Sequence, residues 1–186
     1  MVKLWLLLGM PKYTPLIRVM QRKDWKQVQA IYRDGLSTGL AAFMFEAPNW
    51  IEWNAQHLKE GRLVSTKKND HILGWAALQP VPDTWGAAGV AEVSVYVKAS
   101  VHREGIGLGL LRELLKVSEI GGYWTLQAQM MAENNASVAT FRKAGFRKVG
   151  VRERYGQFNG IWHDVILVER RSQSAGGSGL PTKACS

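Results

Sequence analysis

Residues 91–115 read AEVSVYVKASVHREGIGLGLLRELL, and their pattern predicts a strand, a short polar loop, a glycine-rich turn and an amphipathic helix in succession. In the strand, valine occupies every second position, as expected when one strand face lies in the core: Val93, Val95 and Val97. The turn opens directly into the helix. We therefore expect the sheet and the helix N-terminus to meet at this turn.

The glycine-rich turn has the features of an anion-binding site. Gly105, Gly107 and Gly109 carry no Cβ atom, so the main chain can approach a ligand closely. The helix that follows offers unpaired N–H groups and the positive end of its dipole. A pyrophosphate is therefore expected to bind here through main-chain groups alone.

Two familiar glycine motifs do not fit this turn. Gly-Lys-Ser/Thr is absent, which excludes a P-loop, and Leu110 stands where the dinucleotide pattern G-x-G-x-x-G requires its third glycine. Residues 102–107, HREGIG, instead resemble the Q/R-x-x-G-x-G/A signature of the GNAT superfamily of N-acetyltransferases, with His in the first position. In that family the signature receives the pyrophosphate of acetyl-CoA. The resemblance implies acetyl-CoA as co-substrate, bound by His102, Arg103, Glu104, Gly105, Ile106 and Gly107.

A second stretch supports the same family. Residues 134–146, NNASVATFRKAGF, resemble its second coenzyme element, an Asn followed by a helix that ends in Gly-Phe. The resemblance places Asn134 and Ser137 at the coenzyme. Many members use a Tyr on this helix to protonate the leaving thiolate, but Phe141 stands there. Water, another Tyr or unassisted departure of the thiolate are the alternatives.

The resemblance extends over residues 17–171. We expect residues 1–16 to be an N-terminal extension, 17–171 one acetyltransferase domain and 172–186 a flexible, small and polar tail. The apolar run near the N-terminus is too short to span a membrane, so no membrane association is expected. The single cysteine, Cys185, excludes an internal disulfide and fits a cytoplasmic protein.

The net charge is +9, from 24 Lys and Arg against 15 Asp and Glu. Such an excess suits nucleic acid, an acidic membrane surface or a small polyanion. Because the charges are scattered along the chain, we expect no nucleic-acid partner, and part of the excess can serve the coenzyme phosphates. The four histidines lack ligand-like spacing, so no metal is expected.

Alternating strand and helix patterns predict an α/β fold with a mixed sheet. The resemblance implies the GNAT fold, a mostly antiparallel central sheet that is splayed between its central strands, flanked by helices, and entered by coenzyme A. Strands are predicted over residues 17–20, 62–66, 71–78, 90–97, 123–130, 146–155 and 162–169. Helices are predicted between Asp24 and Gly35, over 50–59 and 105–119, and after Asn134. A loop, 156–160, joins the last two strands.

The acceptor side resembles the phosphinothricin and methionine sulfoximine branch of the family. Residues 37–46, STGLAAFMFE, resemble its pocket-lining segment, and Phe43 is either a pocket residue or a core Phe. Residues 160–165, GIWHDV, resemble its N-W-H-D-V segment. His163 would assist proton removal or contact the acceptor, with Asp164 fixing its tautomer; a purely structural pair is the alternative. The branch also implies a homodimer.

Acetyl transfer needs an acceptor amine without its proton, and aqueous alkyl ammonium groups have pKa values above about 8. Residues 92–97, EVSVYV, resemble the E-S-T-V-Y-V segment in which the Glu is the proposed base. Glu92 is therefore the candidate base, and a salt-bridged Glu at a strand end is the alternative. By the same resemblance, the main chain of Val95, Tyr96 and Val97 binds the pantetheine arm and polarises the thioester.

The loop before Glu92 departs from the branch. Phosphinothricin-type members carry an Arg and an aromatic residue there, where Thr84 and Ala87 stand in this chain. A guanidinium is the natural partner of a phosphinate or carboxylate. Trp85 is expected to restore an apolar wall of the acceptor site. We therefore expect weak activity on phosphinothricin and a preference for a less anionic amine.

The sequence thus predicts an acetyl-CoA-dependent N-acetyltransferase for a small amino-acid-like amine, of the detoxification or resistance type. A protein or peptide N-acetyltransferase is the rival within the same fold, and it requires an open groove. The rival from another class is a non-catalytic binding module whose basic surface contacts nucleic acid. Intact Glu92 and the intact glycine turn argue against that module.

Overall fold

A computed structural model describes residues 15–82 and 88–176. In these ranges the chain forms a seven-stranded sheet and four α-helices, joined by short turns. The strands are β1 (Leu16–Val19), β2 (Leu63–Thr66), β3 (Ile72–Pro80), β4 (Val90–Val97), β5 (Thr125–Met131), β6 (Arg147–Phe158) and β7 (Ile161–Arg171). The helices are α1 (Trp25–Ser37), α2 (Trp50–Gln56), α3 (Ile106–Ile120) and α4 (Asn135–Lys143).

The strands lie in the order β1-β2-β3-β4-β5-β7-β6. Every neighbouring pair is antiparallel except β4 and β5, which run parallel and are joined through α3. The predicted α/β fold with a mixed, mostly antiparallel sheet is confirmed.

The central pair of strands is only partly joined. β4 and β5 pair at three positions, which end at Glu92 opposite Gln127. β3, by contrast, accompanies β4 as far as Val97, which lies opposite Gly74. Beyond Glu92 the two central strands therefore diverge and leave an open gap between them, as predicted.

Two apolar clusters fill the two faces of the sheet. One lies under α3, whose Leu110, Leu111 and Leu114 are almost completely buried against β3, β4 and β5. The other lies under α1 and α2 and is largely aromatic. Its centre is the stack of Tyr96 on Trp75, with ring centroids 4.9 Å apart. Helices pack on both faces of β4 and hold it in place. The gap lies in the plane of the sheet, between β4 and β5.

Gly35 does not end the first helix, contrary to the prediction. α1 continues to Ser37, and a Cβ atom on Gly35 would lie 2.6 Å from the ring of Tyr96. Glycine is therefore required here by close packing of helix on sheet. The sequence pattern suggested a helix stop because it does not reveal this long-range contact.

Two other ends, those of α2 and β6, differ from the prediction by three residues, and the remaining boundaries differ by two residues or fewer. α2 ends at Gln56, before the predicted Lys59. β6 continues through the predicted loop 156–160, and the actual turn consists of Asn159 and Gly160, which both have positive φ. Such a two-residue turn suits the twist of a β-hairpin.

The predicted tail begins with residues that contact the domain. The Ser172 N–H donates to the carbonyl of Trp124 at 2.8 Å, and the Ser172 hydroxyl donates to Glu119 Oε1 at 3.0 Å. The limits of the extension and of the tail stay predictions. None of the described helices is long and apolar enough to cross a membrane.

His57 gives this fold a predicted sensitivity to acid. It is buried, its Nδ1–H donates to the carbonyl of Trp53 at 2.8 Å, and burial lowers its pKa from 6.5 to about 4. The unfolded chain takes up the proton at a higher pH than the folded chain does. Stability is therefore complete above pH 6.5 and decreases as the pH falls towards 4.

We expect urea denaturation to give a free energy of unfolding that falls by up to about 3 kcal/mol over this range, since one pKa unit corresponds to about 1.4 kcal/mol. His57→Phe should flatten the dependence, because a phenyl ring does not titrate. His71→Gln, at an exposed histidine, should retain it. Equal wild-type stability at pH 6.5 and pH 4.5 would contradict the neutral, buried state of His57.

Candidate active site

The wall of the gap formed by β4 exposes main-chain groups. The Lys98 N–H donates to Leu73 O on β3 at 2.8 Å. Because successive residues of a strand direct their main-chain groups to opposite sides, those of Val95 and Val97 face the gap. His102 Nε2–H donates to Val97 O at 3.0 Å, so the residue that departs from the family signature ties the glycine turn to this wall.

The glycine turn brings the N-terminus of α3 to the mouth of the gap. Arg103 and Gly105 have positive φ, 66° and 80°, and a Cβ atom on Gly105 would meet no neighbouring atom. Glycine is thus required at 105 by the backbone conformation. The helical hydrogen bonds of α3 begin with the Gly109 N–H, which donates to Gly105 O at 2.9 Å. The N–H groups that precede it, including those of Ile106 and Gly107, are available to an anion.

Gly107 lies where β4, α3 and α4 converge. A Cβ atom there would lie 3.5 Å from a methyl group of Val97 and 3.6 Å from that of Thr140. The protein therefore has room for a small side chain at 107, and a larger one would extend between β4 and α4.

The start of α4 lies on the opposite side of the gap, directly after β5. Asn134 caps this helix by accepting from the Ser137 N–H at 3.1 Å, and its Nδ2 donates to Leu40 O at 3.1 Å. Both predicted coenzyme residues are thus engaged in forming the helix N-terminus. Phe141, further along α4, is buried with its ring 5.0 Å from that of Phe146, which makes it a core residue.

Tyr96 differs from its neighbours among the predicted coenzyme residues. Its ring lies on the other face of the sheet, between Trp75 and Tyr32, with a ring-centroid distance of 4.6 Å to Tyr32. Burial raises its pKa well above the ordinary value of 10.0. The side chain serves the packing of α1, and by the same alternation the Tyr96 main-chain groups face β3 and not the gap, contrary to the prediction.

Glu92 lies at the vertex of the gap, as the last β4 residue paired with β5. Its carboxylate accepts from Gln127 Nε2 at 3.3 Å and from Gln129 Nε2 at 3.4 Å. Among the described residues no Lys or Arg forms an ion pair with it, which argues against the alternative of a salt-bridged strand-end residue. The carboxylate is half-buried, and its partners among the described residues are neutral amides.

Sequence reasoning missed the two glutamines. Gln127 and Gln129 occupy alternate positions of the otherwise apolar interior strand TLQAQMM, and this alternation was an available signal. Gln129 also binds Arg152: its Oε1 accepts from Arg152 Nη1 at 2.8 Å. The Arg152 guanidinium lies over the Tyr155 ring, 5.2 Å from the centroid. Gln129 and Arg152 thus connect Glu92 with β6, the edge strand of the sheet.

A wide bulge in β6 positions Arg152 and Tyr155. Arg152 pairs with Val165 and Gly156 with His163, so residues 153–155 lie opposite Asp164 alone. Asp164 Oδ1 accepts from the Arg154 N–H at 2.8 Å, and Arg154 has a φ of 46°. Asp164 therefore stabilises the bulge.

The predicted pairing of His163 with Asp164 is wrong. His163 Nδ1–H donates to Glu133 Oε1 at 3.1 Å, in the segment between β5 and α4. Neighbouring residues of a strand direct their side chains to opposite faces, so Asp164 cannot readily reach the ring beside it. Glu133 is the carboxylate that orients His163.

The ring of Phe43 lies beside the β6–β7 hairpin, next to one residue of each strand. Its ring centroid lies 6.2 Å from that of Tyr155 and 6.3 Å from that of His163. A Cβ atom on Gly156 would lie 2.9 Å from the Phe43 ring, so glycine is needed there to admit it. Phe43 is partly exposed, which fits a pocket wall better than the core. Thr84, Trp85 and Ala87 lie outside the described residues.

The arrangement combines a main-chain gap, a helix N-terminus, an aromatic wall and a carboxylate that pairs with no cation of the described residues. This combination suits acyl transfer to an amine, in which a donor lies extended along β4 and a base stands at the end of the gap. Within residues 15–82 and 88–176, no three of His, Cys, Asp and Glu lie close enough together to hold a metal ion.

Comparison with known proteins agrees with this geometry. The chain is 28% identical over 152 residues to the L-methionine sulfoximine/L-methionine sulfone acetyltransferase of Pseudomonas aeruginosa, covering 78% of this chain and 88% of that protein. It is 28% identical over 171 residues to the phosphinothricin N-acetyltransferase of Alcaligenes faecalis, covering 89% and 86%.

The crystal structure of a phosphinothricin acetyltransferase from Sinorhizobium meliloti in complex with AcCoA superposes with a TM-score of 0.81 at 22% identity. The superposition covers 92% of this chain and 95% of the other, which shows a shared fold. Residues 17–167 match the family described as acetyltransferase (GNAT) domain. Since this match spans most of the chain and the split sheet agrees with it, the protein belongs to the acetyltransferase (GNAT) domain family.

Proposed function

We propose that this N-acetyltransferase transfers the acetyl group of acetyl-CoA to the amine of a small amino-acid-like substrate, as the names of its relatives suggest. The observation that carries the proposal is Glu92, a carboxylate at the vertex of the gap whose hydrogen-bond partners within the described part of the chain are amides. Detoxification of an amino-acid analogue is the corresponding physiological role.

The donor side is supported by main-chain geometry. Acetyl-CoA would supply a thioester whose carbonyl carbon is open to attack. The N–H groups at the start of α3 would hold its pyrophosphate, and the β4 groups that face the gap at Val95 would bind its amide-bearing arm. Gly107, which has no side chain, would lie beside this arm where β4 and α4 converge.

On the acceptor side, Glu92 would take a proton from the bound ammonium, directly or through one water. The neutral amine then forms its bond to the acetyl carbon, the carbon–sulfur bond breaks as the thiolate leaves, and the nitrogen releases a second proton that balances the charge of the thiolate. His163, held by Glu133, would contact the acceptor. The wall of Phe43 and Tyr155 supports a small substrate, because a protein substrate requires an open groove.

Acetyl-CoA should stabilise the protein, and Gly107→Val should abolish this effect. A ligand at 100 times its dissociation constant adds about 2.7 kcal/mol. The Gly107→Val protein should fold, because the valine Cβ would meet Val97 and Thr140 at ordinary contact distances. Its methyl groups would extend into the space proposed for the coenzyme arm. Thermal melting with and without acetyl-CoA measures the effect.

Gly109→Ala is the matched control for Gly107→Val. A Cβ at Gly109 approaches a methyl group of Ile17 at 3.5 Å, away from the gap, so this variant should keep the shift in melting temperature. A wild-type melting temperature that ignores acetyl-CoA at every concentration would refute the proposed donor.

Glu92→Gln should keep this stabilisation by acetyl-CoA and lower kcat by about 10²- to 10⁴-fold, the usual contribution of a general base. The residual rate should rise with pH, because the free amine then forms without the enzyme's help. Glu153→Gln, at an exposed carboxylate on β6, should have little effect. Wild-type turnover of Glu92→Gln at pH 7 would assign Glu92 a structural role.

We also propose a homodimer formed through β6, the edge strand. Val149, Val151 and Trp162 are 45%, 41% and 55% exposed. The strand register places Val151 and Trp162 on the face opposite His163. An apolar patch on an edge strand suits a two-fold contact with a second copy. This contact would leave the acceptor pocket accessible.

Light scattering at micromolar concentration should give about twice the chain mass of 20.8 kDa. Trp162→Glu should give monomers, because it places a charge in the contact. Ile120→Glu, at an exposed position at the end of α3, should leave the dimer intact. A wild-type mass of one chain would exclude the dimer.

A further inference from the structure

We propose that Arg152 binds the α-carboxylate of the acceptor and makes the enzyme selective for free amino acids over amines that lack this group. The inference rests on the proposed function, in which Glu92 receives the proton of the acceptor amine. It adds a second recognition group, supplied by the edge strand, to the same pocket.

The two charged groups are held together by one side chain. The Gln129 amide donates through Nε2 to Glu92 Oε2 at 3.4 Å and accepts through Oε1 from Arg152 Nη1 at 2.8 Å. A carboxylate and a guanidinium therefore stand one planar amide apart. Because their contact passes through a neutral group, neither charge neutralises the other in a direct ion pair.

A free amino acid carries the complementary charges on one carbon atom. Its ammonium group suits Glu92, and its carboxylate, two bonds from the nitrogen, suits Arg152. A simple amine offers only the first contact. A peptide or carboxamide presents a neutral carbonyl instead of a carboxylate, so it loses the charge-assisted, bidentate contact that a guanidinium offers.

Arg152 is both positioned and available. Its guanidinium lies over the Tyr155 ring, and the bulge that presents both residues is fixed by the bond from the Arg154 N–H to Asp164. Its side chain is exposed and forms no ion pair with any carboxylate of the described residues. Since guanidinium has five N–H donors and Gln129 uses one, donors remain for a ligand.

The contact also narrows the acceptor class. Among the described residues, Arg152 is the guanidinium that contacts Gln129 beside Glu92. One guanidinium suits an amino acid with one carboxylate and a neutral polar side chain, such as a sulfone or sulfoximine, better than one with an added phosphinate.

The test compares thiol release with L-methionine sulfone, its α-carboxamide and phosphinothricin as acceptors. Arg152→Gln should lower kcat/KM for the sulfone by roughly 10- to 100-fold, mainly through KM, because it removes a charged hydrogen bond. The same variant should leave kcat/KM for the carboxamide almost unchanged. Each acceptor thus serves as its own reference, and differences in amine pKa between acceptors cancel.

Two variants complete the design. Arg152→Lys should recover part of the loss for the sulfone, because it restores the charge without the bidentate geometry. Lys148→Gln, at an exposed cation of β6 outside the bulge, should behave as wild type. Arg152→Gln should retain the wild-type melting temperature and its shift with acetyl-CoA, which shows that folding and donor binding are intact.

The outcomes separate the inference from the proposed function. If the wild type acetylates both acceptors and Arg152→Gln lowers kcat/KM equally for both, or for neither, the role of Arg152 is overturned. The acetyltransferase proposal would then still stand. Phosphinothricin as the best wild-type acceptor by a wide margin would overturn the single-anion pocket. Absence of thiol release with every amine would overturn the proposed function, and the inference with it.

Discussion

Main-chain pairing between β4 and β5 ends at Glu92 and Gln127, and the rest of the site depends on this limit. Main-chain N–H and C=O groups require hydrogen-bond partners, so a strand that loses its neighbour inside a sheet has a row of groups ready for a ligand. An extended, amide-bearing molecule satisfies such a row as another strand would. The last paired residue, Glu92, lies at the closed end of this row, so its carboxylate stands next to the end of any ligand that fills the gap.

The gap persists because other contacts prevent the two strands from closing. The stack of Tyr96 on Trp75 fixes β4 to the α1 face, and Gly35 lets the helix approach that stack closely. β5 is held instead by β7 along its whole length. Closing the gap would break one of these two sets of contacts. The bond from His102 to Val97 O further fixes the glycine turn against β4.

The features that the sequence predicted correctly are local in the chain or belong to a motif. The alternation of valines, the glycine turn and the capped start of α4 all depend on residues that are close along the chain. The predictions failed where distant residues decide. Gly35 looked like a helix stop because its contact with Tyr96 is tertiary, and the role of Asp164 depends on a bulge that only the register of β6 on β7 reveals. The pairing of His163 with Glu133 likewise joins two separate segments.

The bulge illustrates why acceptor recognition follows from tertiary structure. Arg154 adopts a left-handed conformation that costs a residue with a side chain about 1–2 kcal/mol. The hydrogen bond from its N–H to the Asp164 carboxylate is of the charged kind, worth about 1.5–3 kcal/mol, and offsets that cost. The stabilised bulge brings Tyr155 to Phe43 and lays Arg152 over the Tyr155 ring, within reach of Gln129. A regular strand would keep its two-residue alternation here and could not present these side chains together. The aspartate of the W-H-D segment therefore acts through the shape of the edge strand, which places Arg152 and Tyr155 beside Gln129 and Phe43.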